Sequence, residues 1–94
     1  MTKIVMQSHV ADFDAWLAMF NENQSFRSGH GATGHTISRS VDDPNLLILA
    51  VDFTSPEDAK GFLADPALKE RMAQAGVDAA PQSWICEEVE SRPY

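Results

Sequence analysis

Cysteine is almost absent from this chain: Cys86 stands alone, so no internal disulfide can form and a cytosolic setting is expected. Basic residues are scarce too, with seven Lys and Arg against fourteen Asp and Glu and a formal charge of −7. So acidic a chain lacks the basic face that a phosphate backbone requires, which excludes nucleic acid as a partner. No long hydrophobic run is present. The longest, Leu46 to Val51, falls far short of the ~20 residues of a membrane span, so no membrane partner is expected. The start, Met1 to Met6, runs directly into strand patterning, without the apolar segment and cleavage site of a secretory signal. The glycines of Ser28 to Gly34 fit neither the Walker spacing nor the dinucleotide fingerprint, and no Lys follows them. That leaves a helix-to-strand connection.

What is present is an ordered succession of elements in 94 residues, enough for one domain. A chain of this size buries only roughly 60–65% of its unfolded surface, so self-association is a natural remedy for a marginal core. Residues 3–10 alternate as a strand, with Ile4, Met6 and Val10 on one side and Val5, Gln7 and His9 on the other. Asp12 is placed to cap a helix whose stripe is Phe13, Trp16, Leu17 and Phe20; the spacing predicts that it runs to Phe26 or Arg27 and stops at Gly29 or Gly31. Residues 33–40 form a second strand, with His35, Ile37 and Arg39 on one side. The turn Asp42-Asp43-Pro44-Asn45 leads into a third, Leu46 to Phe53, apolar on both faces and therefore central. Ser55-Pro56 starts a helical stretch that Asp65-Pro66 breaks in two and Gly76 ends; a last strand follows from Ser83 to Glu90. The order strand–helix–strand–strand–helix–strand predicts an α+β, ferredoxin-like sandwich. Its four-stranded antiparallel sheet has order 4-1-3-2, with helices on one face and the other face bare.

Three stretches carry a family resemblance: Val10-Ala11-Asp12-Phe13-Asp14-Ala15-Trp16, Arg39 to Asn45, and Asp52-Phe53-Thr54-Ser55-Pro56-Glu57-Asp58-Ala59. The chain resembles the dimeric α+β barrel superfamily over nearly its whole length. Within it, the chain is similar to antibiotic-biosynthesis monooxygenases and to short bacterial proteins labelled as cyclases. The resemblance implies a homodimer whose two sheets stack face to face, with a pocket in each subunit. It also implies a cofactor-independent monooxygenase or cyclase acting on a small aromatic or polyketide-like compound. The haem-degrading branch uses a Trp after the third strand, a His on the next helix and a first-strand Asn. Phe53, Phe62 and Gln7 stand at those places here, so haem degradation is not carried over.

The candidate chemistry lies in scattered polar residues. With strands one and three taken to end at one edge of the sheet, His9, His35, Asp52 and Trp84 gather there. The alternation leaves open whether His9 and His35 share a face. An imidazole with a pKa near ~6.5 carries protons at neutral pH without a cofactor, so His9 and His35 are the catalytic candidates. Arg39 suits a substrate carboxylate or enolate, although such an Arg more often makes an exposed or interface ion pair. Asp52, Phe53 and Trp84 complete the substrate-binding candidates. The histidines lack the spacing of a compact metal-ligand pair, and no metal is assigned. The rival reading is a non-catalytic module that binds a small molecule or only dimerises. A convergent polar group in a sizeable pocket favours the enzyme, and a pocket filled by Phe53, Phe62 and Met72 favours the module.

Overall fold

The computed structural model describes residues 1–94. Eight elements follow in order: β1 (Thr2–His9), α1 (Phe13–Glu22), α2 (Gln24–Gly29), β2 (Ala32–Arg39), β3 (Leu46–Phe53), α3 (Pro56–Ala64), α4 (Pro66–Gln74) and β4 (Gln82–Glu87). The strands form one sheet in the order β2-β3-β1-β4, and every neighbouring pair is antiparallel. This is the ferredoxin-like α+β sandwich that the element order predicts, with the helices on one face.

Local chemistry places the helix starts. The Asp12 carboxylate accepts from the Ala15 N–H at 3.2 Å, and the Ser55 hydroxyl accepts from the Asp58 N–H at 3.1 Å. Asp65 accepts from the Ala67 N–H at 2.9 Å, and Pro66 occupies the first turn of α4, so the helical stretch divides where expected. Gly31, at φ 92°, turns the chain from α2 into β2. A Cβ there would lie 2.5 Å from Asp58 Oδ2, so the position requires glycine.

Two boundaries differ from the sequence expectation. The first helix is interrupted at Asn23, whose side-chain amide and backbone N–H both donate to the Met19 carbonyl, at 3.0 and 3.1 Å. The last strand ends at Glu87 rather than Glu90, because Glu87 pairs with Thr2 and β1 offers no further partner.

Alternation divides the sheet into two unlike faces. Ile4, Met6, Leu47, Leu49, Val51 and Phe53 point at the helices and are buried against Trp16, Phe20, Ala59, Phe62, Leu68 and Ala75. The opposite face carries Val5, Ile48, Ala50 and Trp84 at its centre, with Ile48 41% and Trp84 50% exposed. Antiparallel partners share a face, so Trp84 lies beside Val5 and Ala50 in one apolar row. No helix is long and apolar enough to cross a membrane.

The Ser55 cap yields a direct test of how the third helix is held. Ser55→Ala is expected to lower unfolding free energy by about 1 kcal/mol, while Ser55→Asp, which keeps an acceptor, retains most of it. Urea denaturation of the three proteins measures both.

Candidate functional site

The antiparallel register separates the residues that the sequence brings together. His9 lies opposite Leu46 at one end of β3, whereas Asp52 lies opposite Lys3 and Gly34 at the other end. His35 is level with Val51, five residues along β3 from Leu46 and about 16 Å away at ~3.3 Å per residue. His9 shares its face with Val5 and Gln7, the bare face; His35 shares its face with Val51 and Ile4, the helix face. The two imidazoles therefore occupy opposite ends and opposite faces, and they form no common site. The physical reason is topological. A hairpin strand inserted between β1 and β2 runs against both, so β1 and β3 end at opposite edges.

Each candidate has a definite setting. His9 Nδ1 lies 2.9 Å from Asp78 Oδ2 and its Nε2 lies 3.4 Å from Asp43 Oδ2. This ties the end of β1 to the β2–β3 turn and to the segment before β4. The hydrogen bond to Asp78 raises its pKa above the ordinary imidazole value. Asp52 faces Lys3 Nζ at 4.0 Å on the bare face, where Trp84 also lies half exposed. Phe53 is fully buried in the core, its ring centroid 5.4 Å from that of Phe62. Arg39 lays its guanidinium over the Phe13 ring at 4.4 Å on the helix face, exposed. His30, whose Nε2 is 2.8 Å from Asp65 Oδ2, links the end of α2 to the start of α4.

Of the sequence candidates, His35 alone meets a cluster of unusual groups. It stands edge-on to Phe20, with centroids 4.8 Å apart and planes at 85°. On the same Phe20 ring lies the guanidinium of Arg27, its Cζ 3.5 Å from the centroid. Arg27 is only 6% exposed. Its Nη1 donates to the Phe20 carbonyl at 2.6 Å, and its Nη2 is buried without a partner. Burial pushes the Arg27 pKa down, and burial followed by the nearby Arg27 charge pushes that of His35 below the ordinary value. His35, exposed at its outer side, thus has its neutral form favoured beside a permanent cation.

Arg27 separates two hollows. On one side a cleft of about 210 Å³ is lined by Gln24, Ser28, Thr33, Gly34 and His35 as well as Arg27 itself. On the other a cavity of about 70 Å³ lies between the sheet and the helices, walled by Trp16, Phe20, Phe26, Phe62 and Met72. Arg71 also lines this cavity; its Nη1 is bonded to Asn23 and its guanidinium sits 4.3 Å from the Phe26 ring centroid. Among the arginines, only Arg92 has a carboxylate within 4.0 Å. The sequence analysis passed over Arg27. A signal was there: Phe13, Phe20 and Arg27 recur every seven residues, so the cation continues the apolar stripe.

Neither a protein-family model nor a curated protein matches the chain. Solved structures do, over nearly the full length of both partners. SnoaB, a cofactor-independent oxygenase from Streptomyces nogalater, superposes with a TM-score of 0.77 at 16% identity, covering 99% of this chain and 97% of its own. A protein from Bordetella bronchiseptica named for antibiotic biosynthesis monooxygenase gives 0.77 at 16% identity, covering 95% and 97%. One from Deinococcus radiodurans with the same name gives 0.69 at 13% identity, covering 100% and 98%. The chain has the ferredoxin-like fold of these antibiotic biosynthesis monooxygenase-like proteins; identities of this size establish the fold.

Two titrations follow from the settings of the histidines. By NMR, His35 is expected to titrate below ~6.5, and Arg27→Met moves it upward by removing the adjacent charge. His9 gives the opposite sign. Its folded pKa is raised, so its stabilisation is full below the unfolded value and is lost as pH rises through the folded one. Urea midpoints of the wild type should fall across that alkaline-side window, and those of His9→Gln should not.

Proposed function

We propose that the chain is a cofactor-independent enzyme of the monooxygenase or cyclase type, acting on a small aromatic or polyketide-like compound. The observation that carries this reading is the pairing of His35, its pKa lowered, with the Arg27 guanidinium at the cleft of about 210 Å³, where Arg27 also reaches the neighbouring aromatic-walled cavity. The imidazole accepts a proton from an acidic O–H or activated C–H, and the guanidinium stabilises the anion that results. In oxygenation of a phenol, that electron-rich anion meets dioxygen; phenol and dioxygen yield quinone and water, the substrate supplying every electron. In cyclisation the anion attacks a carbonyl of its own chain. The structural likeness to a cofactor-independent oxygenase supports the first of these.

A second copy of the chain completes the fold in this reading. The row of Val5, Ala50 and Trp84 with the adjacent Ile48 is apolar surface on the face that no helix covers. Burying a large side chain there is worth about 1.5–3 kcal/mol, so two sheets stacked face to face gain substantially. Light scattering should give a dimer at micromolar concentration, and Trp84→Glu should shift it to monomer.

Turnover is tested with a panel of hydroxynaphthalenes in an oxygen electrode, with product absorbance followed in parallel. The wild type should consume oxygen, and His35→Ala should lower kcat by roughly 10²–10⁴-fold with its circular dichroism unchanged. Binding without oxygen uptake or cyclised product across the panel would instead favour a non-catalytic binding module.

A further inference from the structure

We propose that Arg27 is an anion receptor, and that the site selects small aromatic anions bearing a carboxylate, enolate or phenolate over neutral aromatics. This rests on the location of the site given above but names the ligand class independently of any turnover. Arg27 Nη2 is a buried donor with no acceptor in the protein. A guanidinium keeps its charge under all folding conditions, so that donor cannot be relieved by losing a proton. Buried donors are almost always paired, and an exception at a cavity wall indicates an acceptor supplied from outside.

The remaining geometry fits an oxygen anion on an aromatic body. One face of the Arg27 guanidinium is taken by the Phe20 ring and Nη1 by the Phe20 carbonyl, so Nη2 is the donor that remains; it is itself buried, and an incoming oxygen reaches it only as neighbouring side chains give way. No carboxylate lies within 4.0 Å of Arg27 or Arg71, the two cations that line the cavity, although Asp65 is near enough to feel the Arg71 charge. Trp16, Phe26 and Phe62 provide flat walls for a ring. At about 70 Å³ the hollow is smaller than the roughly 150 Å³ that accommodates benzene in an engineered protein cavity. Met72, with its flexible thioether, is the wall residue best suited to move aside.

The test uses benzoate and its neutral isostere benzamide as probes, with calorimetry on the intact protein. Benzoate is expected to bind at least roughly tenfold more tightly than benzamide, the margin of one charge-assisted hydrogen bond. In Arg27→Met that preference should vanish, with benzoate losing more affinity than benzamide because only benzoate also loses the charge. Arg27→Lys, a milder change, should keep part of the preference, since the charge remains and the planar fork is lost. Equal binding of the two probes by the wild type would overturn the proposal, as would no binding of either at about 10 mM. So would a preference that survives in a folded Arg27→Met. Benzoate preference without turnover of any hydroxynaphthalene would support the receptor and overturn the catalytic reading. Turnover without benzoate preference would do the reverse.

Discussion

Arg27 reaches back seven residues to the Phe20 carbonyl at 2.6 Å and lays its guanidinium on the Phe20 ring, and the arrangement of the helix layer follows from that contact. The last carbonyls of a helix lack intrahelical partners. Here the Asn23 backbone N–H is shared between the Met19 and Phe20 carbonyls, and the Asn23 amide and Arg27 add a second bond to each where α1 stops and α2 begins. The same contact lays a cation across the end of the aromatic row Phe13, Trp16 and Phe20, whose rings already stack at 5.9 and 4.9 Å. Phe20 in turn receives His35 edge-on from β2. One residue therefore serves two ends: the side chain at the helix junction also adds its charge to the burial that lowers the His35 pKa.

The sheet contributes the second constraint, the strict division of its faces. In antiparallel pairing a residue and its partner share a side, so His35 is fixed on the helix face by Val51 and Trp84 on the bare face by Val5. A pocket assembled from both sets cannot exist within one chain. The helix side holds Arg27 and His35, both with lowered pKa, while the bare face holds exposed apolar surface bordered by the Lys3, Asp52 and Glu88 charges. Chemistry on one side and surface suited to association on the other is a division of labour set by the period of two.

Features governed by neighbours in sequence were legible in it. Ser55-Pro56 and Asp65-Pro66 announce helix starts because cap and proline act within one turn, and Leu46 to Phe53 announces a central strand by being apolar on both sides. His35, Ile37 and Arg39 do share a face, as their alternation requires. What depended on distant partners was not legible. The end of β4 is set by where β1 begins, and the separation of His9 from His35 by the direction of β1 relative to β3. Arg39 looked like the anion holder because it stood on a strand beside His35; in the fold it is exposed over Phe13. Arg27 stood only as the expected end of the first helix; its burial depends on the Phe20 ring and carbonyl that it meets in the fold.

The disposition of charge explains how so acidic a chain keeps a cationic pocket. Its carboxylates are engaged elsewhere: Asp12 and Asp65 at helix starts, Asp43 and Asp78 on His9, Asp52 and Glu88 on Lys3. Arg27, Arg39 and Arg71 lie instead over the rings of Phe20, Phe13 and Phe26. A salt bridge would consume the in-plane N–H groups and cancel the charge; a ring occupies a face of the guanidinium and leaves both in place. At physiological ionic strength the Debye length is about 8 Å, so the exposed acids are largely screened from an approaching anion while a buried guanidinium is not. The net charge of −7 and a preference for anionic ligands are therefore compatible, because the first acts through solvent and the second acts out of its reach.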